Sequence, residues 1–190
     1  MKDIDTDLRK IADRIVNAKV HYDIWDALQR HRSQKESVEV MTPYWNFFRY
    51  SIEAHFNSFI IELYSLLEKR EDTVNIPTTI NKIKKKMLSS EATIREIEIL
   101  LREVKELWVK IGIIRNESVC HFSNKKTKVQ VYSAAAISPD DVELLFSKFV
   151  RLFNNINYLC VKSIDSFNLN GGDHTNALLD TLLQNKRNLG

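Results

Sequence analysis

Apolar residues recur in this chain at alternating steps of three and four, and that spacing admits little besides helix. The clearest run is Ile94, Ile97, Leu101, Val104, Trp108, Ile111 and Ile114. Such positions line one face of a 3.6-residue turn, whereas a half-buried strand needs alternation at every second residue. The same stripe joins Ile4, Leu8, Ile11, Ile15, Ala18, Tyr22, Trp25 and Leu28, and returns from Val142 through Phe149 and Phe153 to Ile164. Only 4 Gly and 3 Pro in 190 residues interrupt these patterns, so long helices with modest connections are expected.

Read in order, the first helix is expected from about Asp3 to Arg30, with a polar connection from His31 to Met41. Thr42 as N-cap and Pro43 at the first helical position predict a second helix to about Arg70, the most aromatic part of the chain. Its broad apolar surface suits a central position or an oligomer interface. His55 lies near that surface, and a buried structural histidine is expected there, because nothing nearby has ligand spacing. Pro77, Thr78 and Thr79 open a short helix carrying Lys82, Lys84, Lys85 and Lys86, which is a solvated face or a phosphate-attracting patch. Thr93 and Glu96 have the spacing of a capping box for the next long helix. After it, Val129–Tyr132 alternates briefly, as an extended segment would. Ser138 with Pro139, Asp140 and Asp141 starts the last main helix, ending near Phe167. Residues 168–190 form a polar tail, either mobile or helical only on a partner. The expected fold is all-α: an antiparallel bundle of four main helices plus short extra helices, one domain over residues 1–167.

Composition closes off several classes of function. Cys120 and Cys160 fit no Cys/His metal spacing, and no Glu-x-x-His or His-Glu-x-x-His pair is present, so no metal is expected. Neither a Gly-rich phosphate loop nor a serine-nucleophile turn occurs, and no cofactor is implied. The beginning of the sequence lacks the apolar core of a signal peptide, and no run approaches the roughly 20 apolar residues that span a bilayer. A soluble, cytoplasmic protein without membrane partners is expected. The net charge of +3 permits an anionic partner without demanding one.

One cluster stands apart. Ile113-Ile114-Arg115-Asn116-Glu117-Ser118-Val119-Cys120-His121 places a permanent cation and a titratable imidazole where the longest stripe stops. Together they are able to hold a phosphate and move protons at it. On a straight helix, Arg115 and His121 would point about 120° apart, with roughly 9 Å of rise between them. Either the helix bends between them, or a second surface, such as a symmetry-related copy, completes the site. Asn116 and Ser118 offer neutral donors and acceptors. Taken without further context, the same Arg and His equally suit charges that complement a helix dipole at its C-terminus.

Arg115-Asn116, five residues in all after the arginine, then His121, resembles the signature of the HEPN superfamily of helical domains: Arg, a polar residue, and His after four to six intervening positions. The resemblance covers roughly Asp3 to Phe167 and is nearest to the abortive-infection-U-type group, whose aromatic second helix is echoed before Leu63-Tyr64. It implies a metal-independent endoribonuclease acting as a homodimer, with both motifs lining one cleft. The 2′-hydroxyl of RNA would be the nucleophile and a cyclic phosphate the product, in phage defence by abortive infection or in a toxin–antitoxin system. His121 would then be the general acid or base, Arg115 the phosphate holder, and Asn116 the orienting group. Lys125, Lys126, Lys128 and Ser118 would bind substrate. An antitoxin, of nucleotidyltransferase or other type, is an implied partner. Toxins of the superfamily paired with nucleotidyltransferases often carry a tyrosine two residues after the motif histidine; Ser123 stands there in this chain, so regulation by tyrosine modification at that position is not implied. The alternative function is a non-catalytic module that binds nucleotide, RNA or a partner protein.

Overall fold

The computed structural model describes residues 2–70, 72–86, 91–119, 127–159 and 171–189. Among them there is no strand. The elements are α1 (Lys2–Arg32), α2 (Lys35–Met41), a 3-10 turn (Thr42–Tyr44), α3 (Trp45–Ser65), α4 (Ile76–Lys85), α5 (Glu91–Ile114), a π-helical turn (Arg115–Val119), α6 (Lys128–Ala135), α7 (Pro139–Leu159) and α8 (Gly171–Leu189). The chain divides into two compact units, residues 1–15 with 60–167, and residues 16–59 with 168–190.

The first unit is built on α5 and α7. Lys110 pairs with Asp141 at 3.0 Å, Glu103 with Lys148, and Glu96 with Arg151, so the two helices run antiparallel. These pairs are partly exposed and contribute little each; they record the register that apolar burial fixes. Ile97, Val104, Ile111 and Ile114 of α5 and Leu145, Phe149, Leu152 and Phe153 of α7 are buried, as the stripes require. Ser138 caps α7 as expected: its Oγ accepts from the Asp141 N–H at 3.1 Å, and its own N–H donates to Asp141 Oδ2. The Ser138 backbone and then Lys110 hold the Asp141 carboxyl below the usual range.

The connection from α3 to α4 is organised by Asn75, which is wholly buried. Its Oδ1 accepts from the Thr78 N–H at 2.9 Å, capping α4, while its Nδ2 donates to the Arg70 and Thr73 carbonyls. Ile76 N–H donates to Leu66 O at 2.9 Å, pinning the other end of the loop. Within α4, Lys82 bonds buried Asp7 at 2.7 Å, and Lys84 pairs with Glu98. Two of the three lysines of this helix are thus engaged within the protein.

In the second unit, Leu28, Met41, Phe48, Ile52 and Leu179 form a buried cluster, and Tyr22, Trp25, Phe56 and Phe59 contact one another ring to ring at 5.1–5.8 Å. Residues 171–189, which the sequence presents as a polar tail, form a full helix here. Leu179 is its buried anchor, and Gly171 lies so close to α1 that a Cβ would stand 2.8 Å from Val20 O.

Four local expectations are corrected. The polar stretch before Met41 is helical in α2, because Ser37, Val40 and Met41 share a buried face and Ser37 Oγ bonds His31 Nδ1 at 2.9 Å. Thr42 does not cap α3; it sits in the turn between α2 and α3, where its Oγ1 donates to Val38 O. Val129–Tyr132 is helical and not extended: Thr127 and Gln130 form a capping box that starts α6, and Ala136, at φ 47°, ends it in the left-handed region. Thr93 lies inside α5 rather than before it. The stretch 160–167 lies outside the described residues.

Candidate functional site

Trp108, Gly112 and Arg115 follow one another at steps of four and three, so they share a face of α5 and its continuation. Tyr64, from the last turn of α3, fills that face. Its ring stacks on Trp108 with centroids 4.8 Å apart and planes tilted by 17°. The Arg115 guanidinium carbon lies 4.7 Å from the Tyr64 ring centroid. Seven residues of helix rise about 10 Å, which leaves room for one ring between the two side chains. Gly112 makes the approach possible, since even a Cβ there would come within 3.3 Å of Tyr64 Cε2. Trp108 Nε1 donates to the Tyr64 carbonyl at 2.9 Å and locks the stack to the end of α3.

Arg115 is further held from two sides. Its Nη1 donates to Asn116 Oδ1 at 2.9 Å, and its Nη2 lies 3.8 Å from Glu68 Oε1. The Arg115 side chain stays about a quarter exposed, at 28%. It is thus a pre-positioned cation, resting on an aromatic face with part of its donor fork open. Asn116 is exposed, and Ser118 is buried at 8%.

Regular α-helical bonding stops at Ile114, and Arg115–Val119 form the π-helical turn. A π turn holds one residue more than an α turn, so the phase of a straight α-helix is already lost within Arg115–Val119. The departure from a straight helix falls inside the motif. His121, Lys125 and Lys126 lie outside the described residues, and Lys128 is the first residue of α6.

Beside the stack is a cleft of ≈ 510 Å³, lined by Tyr64, Leu67, Glu68, Lys69, Arg70, Pro77, Leu101, Lys105 and Trp108. Tyr64 and Glu68 belong both to the cleft wall and to the support of Arg115. The apolar stripe marks Trp108 for packing alone, and Tyr64 stands out in the sequence only through the resemblance. The retrievable signal was the Trp-x-x-x-Gly-x-x-Arg spacing on one helical face; the partner ring, more than forty residues upstream, left no such trace. His55 is half-buried, in the second unit, with its Nδ1 2.8 Å from His21 Nδ1. Burial, then the charge of His21, pulls its pKa below the ordinary value.

Among the described residues no group of three or more His, Cys, Asp or Glu side chains is placed to hold a metal ion. No helix among them is long and apolar enough to cross a membrane. In comparisons with known proteins, the family model HEPN_AbiU2 (AbiU2) matches residues 1–179. No curated protein and no solved structure matches the chain.

Proposed function

The chain belongs to the HEPN family of the abortive-infection-U type, and from that membership we propose that it is a metal-independent endoribonuclease of phage defence or of a toxin–antitoxin system. The reading is carried by the setting of Arg115: a cation stacked on Tyr64, bonded to Asn116, and partly open at the head of the motif.

The chemistry needs few groups. The 2′-hydroxyl of the substrate attacks the neighbouring phosphorus while the bond from phosphorus to the 5′-oxygen breaks. The proton of the 2′-hydroxyl leaves to a base, and another is delivered to the departing 5′-oxygen. The products are a 2′,3′-cyclic phosphate and a 5′-hydroxyl end. His121 fills the proton-transfer role, worth typically about 10²–10⁴-fold. Arg115 holds the non-bridging oxygens as charge builds on them. Asn116 orients the guanidinium. Two proton transfers call for two imidazoles, and a homodimer with the motifs facing each other supplies them. Lys125, Lys126 and Lys128 draw the RNA backbone toward the motif.

The test is cleavage of single-stranded RNA in EDTA by the chain and by its His121→Ala and Arg115→Ala variants. Loss of cleavage in both, with unchanged circular dichroism, is expected. Equal cleavage by purified His121→Ala protein would overturn the proposal. RNA binding without any turnover in the parent chain would instead favour a non-catalytic binding module.

A further inference from the structure

The cleft next to Arg115 has the makings of a second contact for RNA. Its apolar wall is Tyr64, Leu101 and Trp108, and its rim carries Lys69, Arg70 and Lys105. Arg70 is occupied, donating to Asp72 through Nε at 3.0 Å and Nη2 at 2.7 Å. Lys69 and Lys105 are exposed, and neither has an ion-pair partner among the described residues. Glu68, the one carboxylate of the wall among the described residues, faces Arg115. What remains is an aromatic surface flanked by two cations that have no ion-pair partner among the described residues. The volume, ≈ 510 Å³, is within the usual range of a small-ligand site, about 300–1,000 Å³.

We infer that this cleft binds one unpaired nucleotide of single-stranded RNA adjoining the scissile phosphate, with its base against Trp108, Leu101 and the edge of Tyr64 and its phosphates at Lys69 and Lys105. The inference rests on the ribonuclease reading for the placement of the scissile phosphate at Arg115, whose supports Tyr64 and Glu68 also line the cleft. Aromatic stacking is indifferent to base identity, so little sequence preference arises from it. Paired bases are turned inward and cannot enter, so duplex RNA is excluded from the cleft. Buried Asn75 contributes indirectly, because its bond to the Arg70 carbonyl holds the segment that forms the wall.

The experiment titrates a 5′-fluorescein-labelled 12-nucleotide single-stranded RNA against His121→Ala protein, following anisotropy across a range of salt. It adds a matched RNA with abasic sites, the Lys69→Ala/Lys105→Ala double variant, and a cleft-filling Leu101→Trp variant checked by thermal melting. The double variant is expected to weaken binding and to lower the slope of log affinity against log salt by about 1.4, at roughly 0.7 per phosphate contact on single strands. Abasic RNA should bind roughly tenfold more weakly, and Leu101→Trp should erase that difference. Unchanged affinity and salt slope in the double variant, equal binding of abasic RNA, or no RNA binding at all each overturn the inference. In the parent background, the same lysine substitutions should raise KM and leave kcat in place. Cleavage indifferent to them would remove the cleft while sparing the nuclease; salt-slope and abasic effects in a chain that never cleaves would do the reverse.

Discussion

Gly112 and Tyr64 meet so closely that the smallest side chain on the helix would stand 3.3 Å from the ring edge. The ring cannot retreat freely, because Trp108 stacks on it and Arg115 rests on it. Two effects then oppose each other in Gly112→Ala: the helix gains about 1 kcal/mol of propensity, and the ring must move by a few tenths of an ångström. Stability should stay within about 1 kcal/mol of the parent in urea denaturation, while RNA cleavage falls, because displacement of the ring disturbs the seat of Arg115. Gly112→Val should lose about 1–3 kcal/mol, the usual cost of overpacking.

The Arg115 guanidinium does two things that an ammonium does poorly: it lies flat on Tyr64, and it presents a planar fork. Arg115→Lys keeps the charge and loses both. The expected result is a fall of about 10²-fold or more in kcat, the scale of removing a donor from an oxyanion site, with urea stability nearly unchanged. Single-turnover cleavage in EDTA measures it; a lysine variant with parental kcat would reduce Arg115 to a source of charge.

What could be read beforehand, and what could not, follows from how far each signal travels along the chain. The stripe ending at Ile114 announced α5, and the arrest of that stripe marked the position where the π turn begins. Both are local. The wall of the cleft is not, because Tyr64 and Lys69 meet Trp108 and Lys105 only once α3 and its following loop lie against α5. Short windows also mislead: four alternating residues at Val129–Tyr132 suit a strand and a helix equally, and the capping pair Thr127/Gln130 settles it. The sequence of α2 looks polar because its buried face needs only Ser37, Val40 and Met41. The helix at residues 171–189 stays one of two readings of the sequence for a like reason, since its apolar content is thin and its buried anchor is Leu179.

Asn75 satisfies a helix N-terminus with its oxygen and two loop carbonyls with its nitrogen, all without exposure to water. Asn75→Ala removes the cap and strands the carbonyls, an expected loss of about 2–3 kcal/mol. Asn75→Asp keeps the cap acceptor but turns a carboxylate oxygen toward carbonyl oxygens, so it should also destabilise. Because the loop is a wall of the cleft, both variants should weaken RNA binding more than they change the helical content measured by circular dichroism. An Asn75→Asp protein as stable as the parent in urea would show that the two donor bonds contribute nothing.

The closeness of His21 and His55 makes an acid-sensitive contact, with Nδ1 atoms 2.8 Å apart and therefore room for one shared proton. Burial, then the charge on His21, holds the His55 pKa below its ordinary value. The unfolded chain, with a histidine pKa near about 6.5, then binds more protons than the folded one once the pH drops below that value. Stability is consequently complete above about pH 6.5 and declines as the pH falls from there toward the lower folded pKa. Urea midpoints from pH 7.5 to 5 should trace that decline, and His55→Gln, which cannot be protonated, should flatten it in this window. A parent chain whose midpoint is level across the range, or a variant that keeps the full slope, would show that the pair is not the origin of the acid sensitivity.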